Sequence, residues 1–207
     1  MGTNGYTHWQ SWLYQRFAAP AMAGHRCDLC RRLVADLPTS ARLLDVGCGA
    51  GDLLAEVLTA RTDCSGVGLD PSSAALARAR HRHPGLTLVQ ARLEDAPFAA
   101  ATFTAATAVG VLKHCPNPVA ALARLRRILV PGGSAHLVEI DAEADDARCH
   151  GWVTDAPRFA GAIVRRLIRR HGLDADRLAR AATAAGWRIR ERQPHPTLPL
   201  LHLTLVV

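Results

Sequence analysis

Leu43-Leu44-Asp45-Val46-Gly47-Cys48-Gly49-Ala50-Gly51-Asp52 is the stretch on which the fold of this chain turns. Arg42–Val46 is short and apolar apart from Arg42 and Asp45, and reads as a buried strand. Three glycines at alternate positions then form a loop, and Asp52–Ala60 reads as a helix. A loop of this kind turns tightly and lets a ligand touch backbone, because glycine has no side chain and reaches left-handed conformations at no steric cost. Nucleotide-phosphate sites share the strand–loop–helix plan, so glycine spacing alone does not identify the ligand. Asp45 discriminates. An acid two positions before the first glycine repels a pyrophosphate and suits a ligand that carries an amine and a sulfonium.

Outward from that stretch, short apolar segments alternate with helical ones. Residues 9–37 have helical spacing and stop at Pro38. Strands are expected at 66–69, 86–90, Phe103–Val109 and 134–140, with helices at 72–83 and 118–129 between them; Pro131-Gly132-Gly133 ends the second of these. An acidic loop (Asp141, Glu143, Asp145, Asp146) leads to helices at 157–171 and 174–185, and two strands, 187–192 and 200–207, close the chain. This alternation predicts an α/β fold: a doubly wound, mostly parallel seven-stranded sheet with an antiparallel C-terminal edge hairpin and an N-terminal helical lid. Residues 1–207 read as one domain, 1–38 forming the lid segment and 42–207 the core.

Composition narrows the function. Of 207 residues, 49% are hydrophobic and 21% charged, the balance of a globular protein. No apolar run approaches the roughly 20 residues that span a bilayer, and residues 1–10 lack a basic-then-apolar signal pattern, so a cytoplasmic protein without membrane attachment is expected. The net charge of +7 is carried by arginine, since Lys113 is the only lysine. The densest cluster (Arg165, Arg166, Arg169, Arg170) alternates with Ile163, Val164, Leu167 and Ile168 as on a docked amphipathic helix, and there are no interleaved aromatics, so no nucleic-acid partner is expected. The six cysteines lack the spacing of a disulfide scaffold. Cys27-Asp28-Leu29-Cys30 reads as two thiols one helical turn apart, and no metal site is expected.

From Leu43 to Ile140 the chain resembles the class I S-adenosylmethionine-dependent methyltransferases, whose first motif is D/E-x-G-x-G-x-G. Four further segments follow in the family's order. Gly66-Val67-Gly68-Leu69-Asp70 ends in the acid that in the family holds the two ribose hydroxyls, for which two carboxylate oxygens are suited. Gln90-Ala91-Arg92-Leu93-Glu94-Asp95-Ala96-Pro97-Phe98 resembles the signature whose acid meets the adenine amino group, with Asp95 the better match and Glu94 the alternative. Val109-Gly110-Val111-Leu112-Lys113-His114-Cys115-Pro116-Asn117-Pro118 resembles the segment after the fourth strand, and Leu129-Val130-Pro131-Gly132-Gly133 the turn before the fifth. The resemblance implies S-adenosyl-L-methionine as cofactor, held by Asp45, Gly47, Cys48, Gly49, Gly51, Asp70, Pro71, Glu94, Asp95, Ala96 and Val109. One departure is Thr104, where the family often has an acid after the aromatic that opens the fourth strand.

The acceptor is less legible. The chain lacks N/D-P-P-Y/F after the fourth strand, which argues against amino-methylation of nucleic-acid bases or protein glutamine, and methyl transfer to a small molecule is expected. The aromatic N-terminus (Tyr6, Trp9, Trp12, Tyr14) suits a lid, since aromatic faces attract a sulfonium. His114 faces the reacting methyl in the family and is a candidate general base. His150, Trp152 and Asp155 are further candidates for reaching the pocket, and Glu139 and Asp141, which flank the end of the fifth strand, for orienting an amine or a metal-bound acceptor. An alternative on the same fold is a cyclase in which the cofactor's own amine displaces methylthioadenosine to give azetidine-2-carboxylate, with His114, Tyr6 or Tyr14 as proton route. A second alternative is a cofactor-binding or RNA-associated protein without turnover. Oligomeric state is not indicated.

Overall fold

The computed structural model of the chain describes residues 19–151, 165–166, 168–170 and 172–207. Helix α1 (Ala19–Asp36) precedes β1 (Arg42–Val46), α2 (Asp52–Ala60), β2 (Ser65–Leu69), α3 (Ser73–Arg82) and β3 (Thr87–Val89). The second half runs through β4 (Phe103–Val109), a 3₁₀ turn (Leu112–His114), α4 (Pro118–Ile128), β5 (Leu129–Ile140), α5 (Asp146–Gly151), α6 (Ala175–Ala184), β6 (Arg188–Pro194) and β7 (Leu200–Val206). The seven strands form one sheet in the order β3-β2-β1-β4-β5-β7-β6. β7 runs antiparallel to β5 and β6, and the other pairings are parallel. The order reverses between β1 and β4, and in open sheets of this kind ligands bind at the strands' carboxyl ends beside such a switch point.

Helix ends follow local chemistry. Ser72 accepts from Ala75 N–H at the start of α3, Asn117 from Ala120 N–H ahead of Pro118 at the start of α4, and Asp174 from Asp176 and Arg177 N–H at the start of α6. Successive strand residues point to opposite faces, so β1 splits its leucines between two layers. Leu43 joins Leu29, Leu33, Leu54 and Val57 on the α1–α2 side, whereas Leu44 joins Leu122, Leu125 and Leu178 on the α4–α6 side. Trp187 is buried in that second layer and donates its indole N–H to the Leu122 carbonyl at 3.0 Å.

The expected sheet is present, with three corrections. β5 begins at Leu129 rather than 134: Phe103 lies opposite Leu129 and Ala105 opposite Ser134, so five steps along β5 are matched to two along β4. The Pro-Gly-Gly sequence is therefore a bulge inside the strand, not a turn before it. Gly133 is needed there, because a Cβ would stand 2.9 Å from the Val130 carbonyl and 3.0 Å from that of Thr104. The acidic loop after β5 contains the short helix α5. The closing hairpin starts at Arg188, because Trp187 turns into the core instead of pairing.

Thr104 also finds its reason. Its hydroxyl accepts from Arg42 N–H at 2.9 Å and donates to the Arg42 carbonyl at 3.3 Å, tying β4 to the first residue of β1. Of the expected lid, the described part is α1, on which Cys27 and Cys30 are free thiols. Tyr6, Trp9, Trp12, Tyr14, Trp152 and Asp155 lie outside the described residues, as does most of the helix expected at 157–171. Within that helix, residues 165–166 and 168–170 are helical, and Arg165 pairs with Asp146 at 2.7 Å. No described helix is long and apolar enough to cross a membrane.

Candidate active site

The first glycine loop hangs from the carboxyl end of β2. Gly47 N–H and Cys48 N–H both donate to the Leu69 carbonyl, at 2.7 and 3.1 Å, and Gly51 N–H closes a turn onto the Cys48 carbonyl at 2.8 Å. Gly47, Gly49 and Gly51 all have left-handed φ values, 69°, 55° and 79°, which explains the alternate spacing. Gly49 differs from its neighbours in what surrounds it. A Cβ on Gly47 would meet Val111 at 2.5 Å and one on Gly51 would meet Leu86 at 2.7 Å, whereas one on Gly49 would meet nothing within 4 Å. The first and third glycines are required by packing, and the second leaves open space above the loop.

Two carboxylates flank that space. Asp70 follows β2 and bridges two backbone segments: Oδ2 accepts from Gly49 N–H at 2.9 Å and Oδ1 from Ser72 N–H at 2.8 Å. Each oxygen keeps lone-pair capacity for a further donor. Asp45 is 3% exposed, and its Oδ1 accepts from the Thr107 hydroxyl at 2.7 Å across the β1–β4 pairing. Burial pushes the Asp45 carboxyl up to about 7, the Thr107 bond opposes the rise, and Asp70 adds to it. Cys48 lies between the two acids. Burial and both carboxylates push its thiol up to about 12, so it is an inert packing group.

The remaining predicted residues border the same edge. Pro71 accepts from the Gln90 amide at 3.3 Å. Asp95 is exposed at a turn closed by its N–H to the Arg92 carbonyl. Glu94 turns inward, and its Oε1 is buried without a hydrogen-bond partner of good geometry. Ala96 is buried, and its carbonyl accepts from the Arg124 guanidinium. Val109 ends β4, and Gly110 N–H then donates to the Val138 carbonyl at 2.7 Å. His114 is exposed on the 3₁₀ turn, its carbonyl 3.5 Å from Arg92 Nη2. His150 is exposed on α5, and Asp141 is buried against Arg148 at 3.0 Å.

Two residues contribute more than their sequence positions suggested. Thr107 was passed over as part of an apolar strand; its only signal was a hydroxyl within Ala-Ala-Thr-Ala-Val. Glu139, raised only as an orienting acid, supports the turn that carries His114. It is 1% exposed, and its Oε1 accepts from Leu112 N–H at 2.6 Å while Oε2 is buried without a partner. Burial pushes Glu139 up to about 7, opposed by nearby Lys113, and burial likewise lowers Lys113. Among the described residues no group of three or more His, Cys, Asp or Glu could hold a metal ion.

A buried acid at the foot of a glycine loop, a second acid at the next strand end and open space over Gly49 fit S-adenosylmethionine. The ammonium end suits Asp45, the ribose suits Asp70, and the approach of the ligand to backbone suits Gly49. Comparison with known proteins agrees with that geometry. The chain belongs to the methyltransferase domain family, whose model matches residues 13–192.

Among curated relatives, it is 36% identical over 130 residues to trans-aconitate 2-methyltransferase of Acidovorax sp. (strain JS42), covering 60% of this chain and 47% of that one. It is 38% identical over 109 residues to 2-phytyl-1,4-naphtoquinone methyltransferase of Thermosynechococcus vestitus, covering 50% and 48%. The chain thus spans less than half the length of these relatives. A solved SAM-dependent methyltransferase from Aquifex aeolicus has the same fold, with a TM-score of 0.68, 13% identity, and coverage of 86% and 89%.

Proposed function

We propose that this chain is an S-adenosylmethionine-dependent methyltransferase acting on a small-molecule acceptor. The observation that carries the reading is the combination of buried Asp45 with open space over left-handed Gly49. When bound, the cofactor supplies a methyl carbon made electrophilic by its sulfonium. The chain's own residues hold and orient it. Asp45 receives the ammonium, Asp70 the ribose hydroxyls, and the backbone of residues 47–51 lies against the amino-acid portion. Of the two acids assigned to the adenine side, Glu94 is preferred, because it turns inward beside Cys115 whereas Asp95 faces solvent.

Catalysis rests mainly on positioning and exclusion of water. His114, on the turn that follows β4, is the residue proposed to take the acceptor's proton. Glu139 acts behind it by fixing Leu112 N–H, and so the turn. Support for a small acceptor comes from the two relatives named above, one acting on trans-aconitate and the other on a naphthoquinone. The test is incubation with S-adenosylmethionine and a panel of small acids, phenols and quinols. S-Adenosylhomocysteine formed in step with a methylated acceptor is expected. Methylthioadenosine formed with no acceptor present would contradict the reading and favour intramolecular cyclisation.

A further inference from the structure

On the α1 side of the sheet lies a histidine cluster that the cofactor site does not use. His25 of α1, His195 of the β6–β7 loop and His202 of β7 line a cavity of about 430 Å³ with Arg31 and Arg32. The cavity is on the same edge of the sheet as the glycine loop. The β6–β7 loop meets the end of β5 through Asp141 N–H to the Pro199 carbonyl at 2.9 Å. Arg26, next to His25, pairs with Glu56 at 2.8 Å and lies 3.8 Å from Asp52, the first residue after the glycine loop.

Hydrogen bonding defines what the cavity offers. His25 is 7% exposed, yet neither ring nitrogen has a partner. A buried polar group left unpaired is destabilising, so an occupant that pairs with His25 is favoured. His195 has a fixed tautomer: Nδ1 accepts from Thr197 N–H at 3.2 Å and Leu198 N–H at 3.0 Å, which leaves the proton on Nε2 as a donor. The rings of His25 and His195 stand edge to face, 5.3 Å between centroids. His202 is engaged with His136 behind it, at 3.3 Å between ring nitrogens.

Two arginines and one acid line the cavity beside the histidines. Arg31 is matched by Asp28, and Arg32 is held at 2.6 Å by Gln193 and lies 3.8 Å from Glu191; burial first, and Arg32 after it, lowers the pKa of His25, His195 and His202. Leu29 and Leu200 supply apolar wall. We propose that this cavity binds the carboxylate of a small organic acid. Its oxygens would accept from His25 and from His195 Nε2–H beside Arg32, and its carbon skeleton would lie on the leucines. A monoanion suits the site better than a phosphate dianion, because Asp28 stands in the wall and Glu191 shares Arg32. The volume is at the small end of ligand cavities, which run from about 300 to 1,000 Å³.

The site stands apart from the methyl-transfer reading and is tested without it. The full chain with ¹⁵N-labelled histidine is titrated with acetate, isovalerate and inorganic phosphate while the ring nitrogens are followed by NMR. The organic acids should shift His25 and His195 saturably, leave exposed His81 on α3 unmoved, and bind more tightly than phosphate. His195→Ala and Arg32→Ala should each weaken binding about tenfold or more, the equivalent of one charge-assisted hydrogen bond. Arg32 is half-exposed, so its variant tests the site even if His195→Ala does not fold. No saturable shift with either acid, or unchanged affinity in Arg32→Ala, would overturn the proposal. A parallel arm with S-adenosylmethionine separates the two sources of carboxylate. A methylated acid identifies it as the acceptor, and binding without methylation identifies a separate ligand; both outcomes support the site.

Discussion

Asp45 is the buried acid of the proposed cofactor site. With its carboxyl pushed up to about 7 by burial, it is largely protonated in the ligand-free chain below neutral pH. Binding an ammonium requires it to ionise, so cofactor binding releases a proton in that range. Affinity for S-adenosylmethionine should therefore be constant above about pH 8 and fall as pH drops through 7, by at most about tenfold per pH unit. Calorimetric titrations between pH 5.5 and 8.5 measure this. Asp45→Asn should bind weakly and lose the slope, and a slope that persists in that variant would remove Asp45 as its source.

The sequence already marked Asp45, because an acid before the glycines had one ready chemical use. It did not mark Thr107, whose value depends on strand register, and it ranked Asp95 above Glu94 on motif position alone. Adjacent acids differ only in which way the turn points them, and that is set by the Asp95–Arg92 and Ala96–Leu93 backbone hydrogen bonds.

Among the elements, the segment from β4 through the 3₁₀ turn is held by one buried side chain from β5. Glu139 accepts from Leu112 N–H but keeps an unpartnered oxygen, and burial pushes its carboxyl up to about 7 from an ordinary 4.5. An acid whose folded value is raised contributes stability that is present below its unfolded value and lost as pH rises through the folded one. Glu139→Gln retains the acceptor and removes the charge. It should gain on the wild-type chain between pH 5 and 8, by an amount of order 3 kcal/mol at most. Urea denaturation at the two pH values reads the difference, and an equal effect at both would mean that Glu139 is not buried as a strained acid.

The elements themselves were largely legible, since each parallel strand is a short apolar run bounded by turn residues. The start of β5 was not. Pro131-Gly132-Gly133 has the composition of a turn, and only its position opposite Phe103 and Ala105 makes it a bulge. The two histidine pairs under α1 were equally hidden, because His25 and His195, like His136 and His202, are distant in sequence and meet only through the antiparallel hairpin and the docking of α1.

The whole molecule places its acids and glycines at the carboxyl ends of β1 and β2, beside the switch point where the strand order reverses. Burial on both faces of β1 fixes Asp45 and the loop that follows, so the site is a rigid part of the core. This edge is the one proposed to hold S-adenosylmethionine. The most direct measurement is a calorimetric titration of the wild-type chain, Gly49→Val and Asp70→Ala with S-adenosylmethionine, with NAD as the control. The wild-type chain should bind S-adenosylmethionine and not NAD. Asp70→Ala should lose about 1.5–3 kcal/mol of affinity, the range for hydrogen bonds to a charged group. Gly49→Val should still fold, though strained by its left-handed backbone, since a Cβ there meets no protein atom within 4 Å, and yet not bind, since the side chain fills the open space. Binding of NAD in place of S-adenosylmethionine, or wild-type affinity in folded Gly49→Val, would contradict the account.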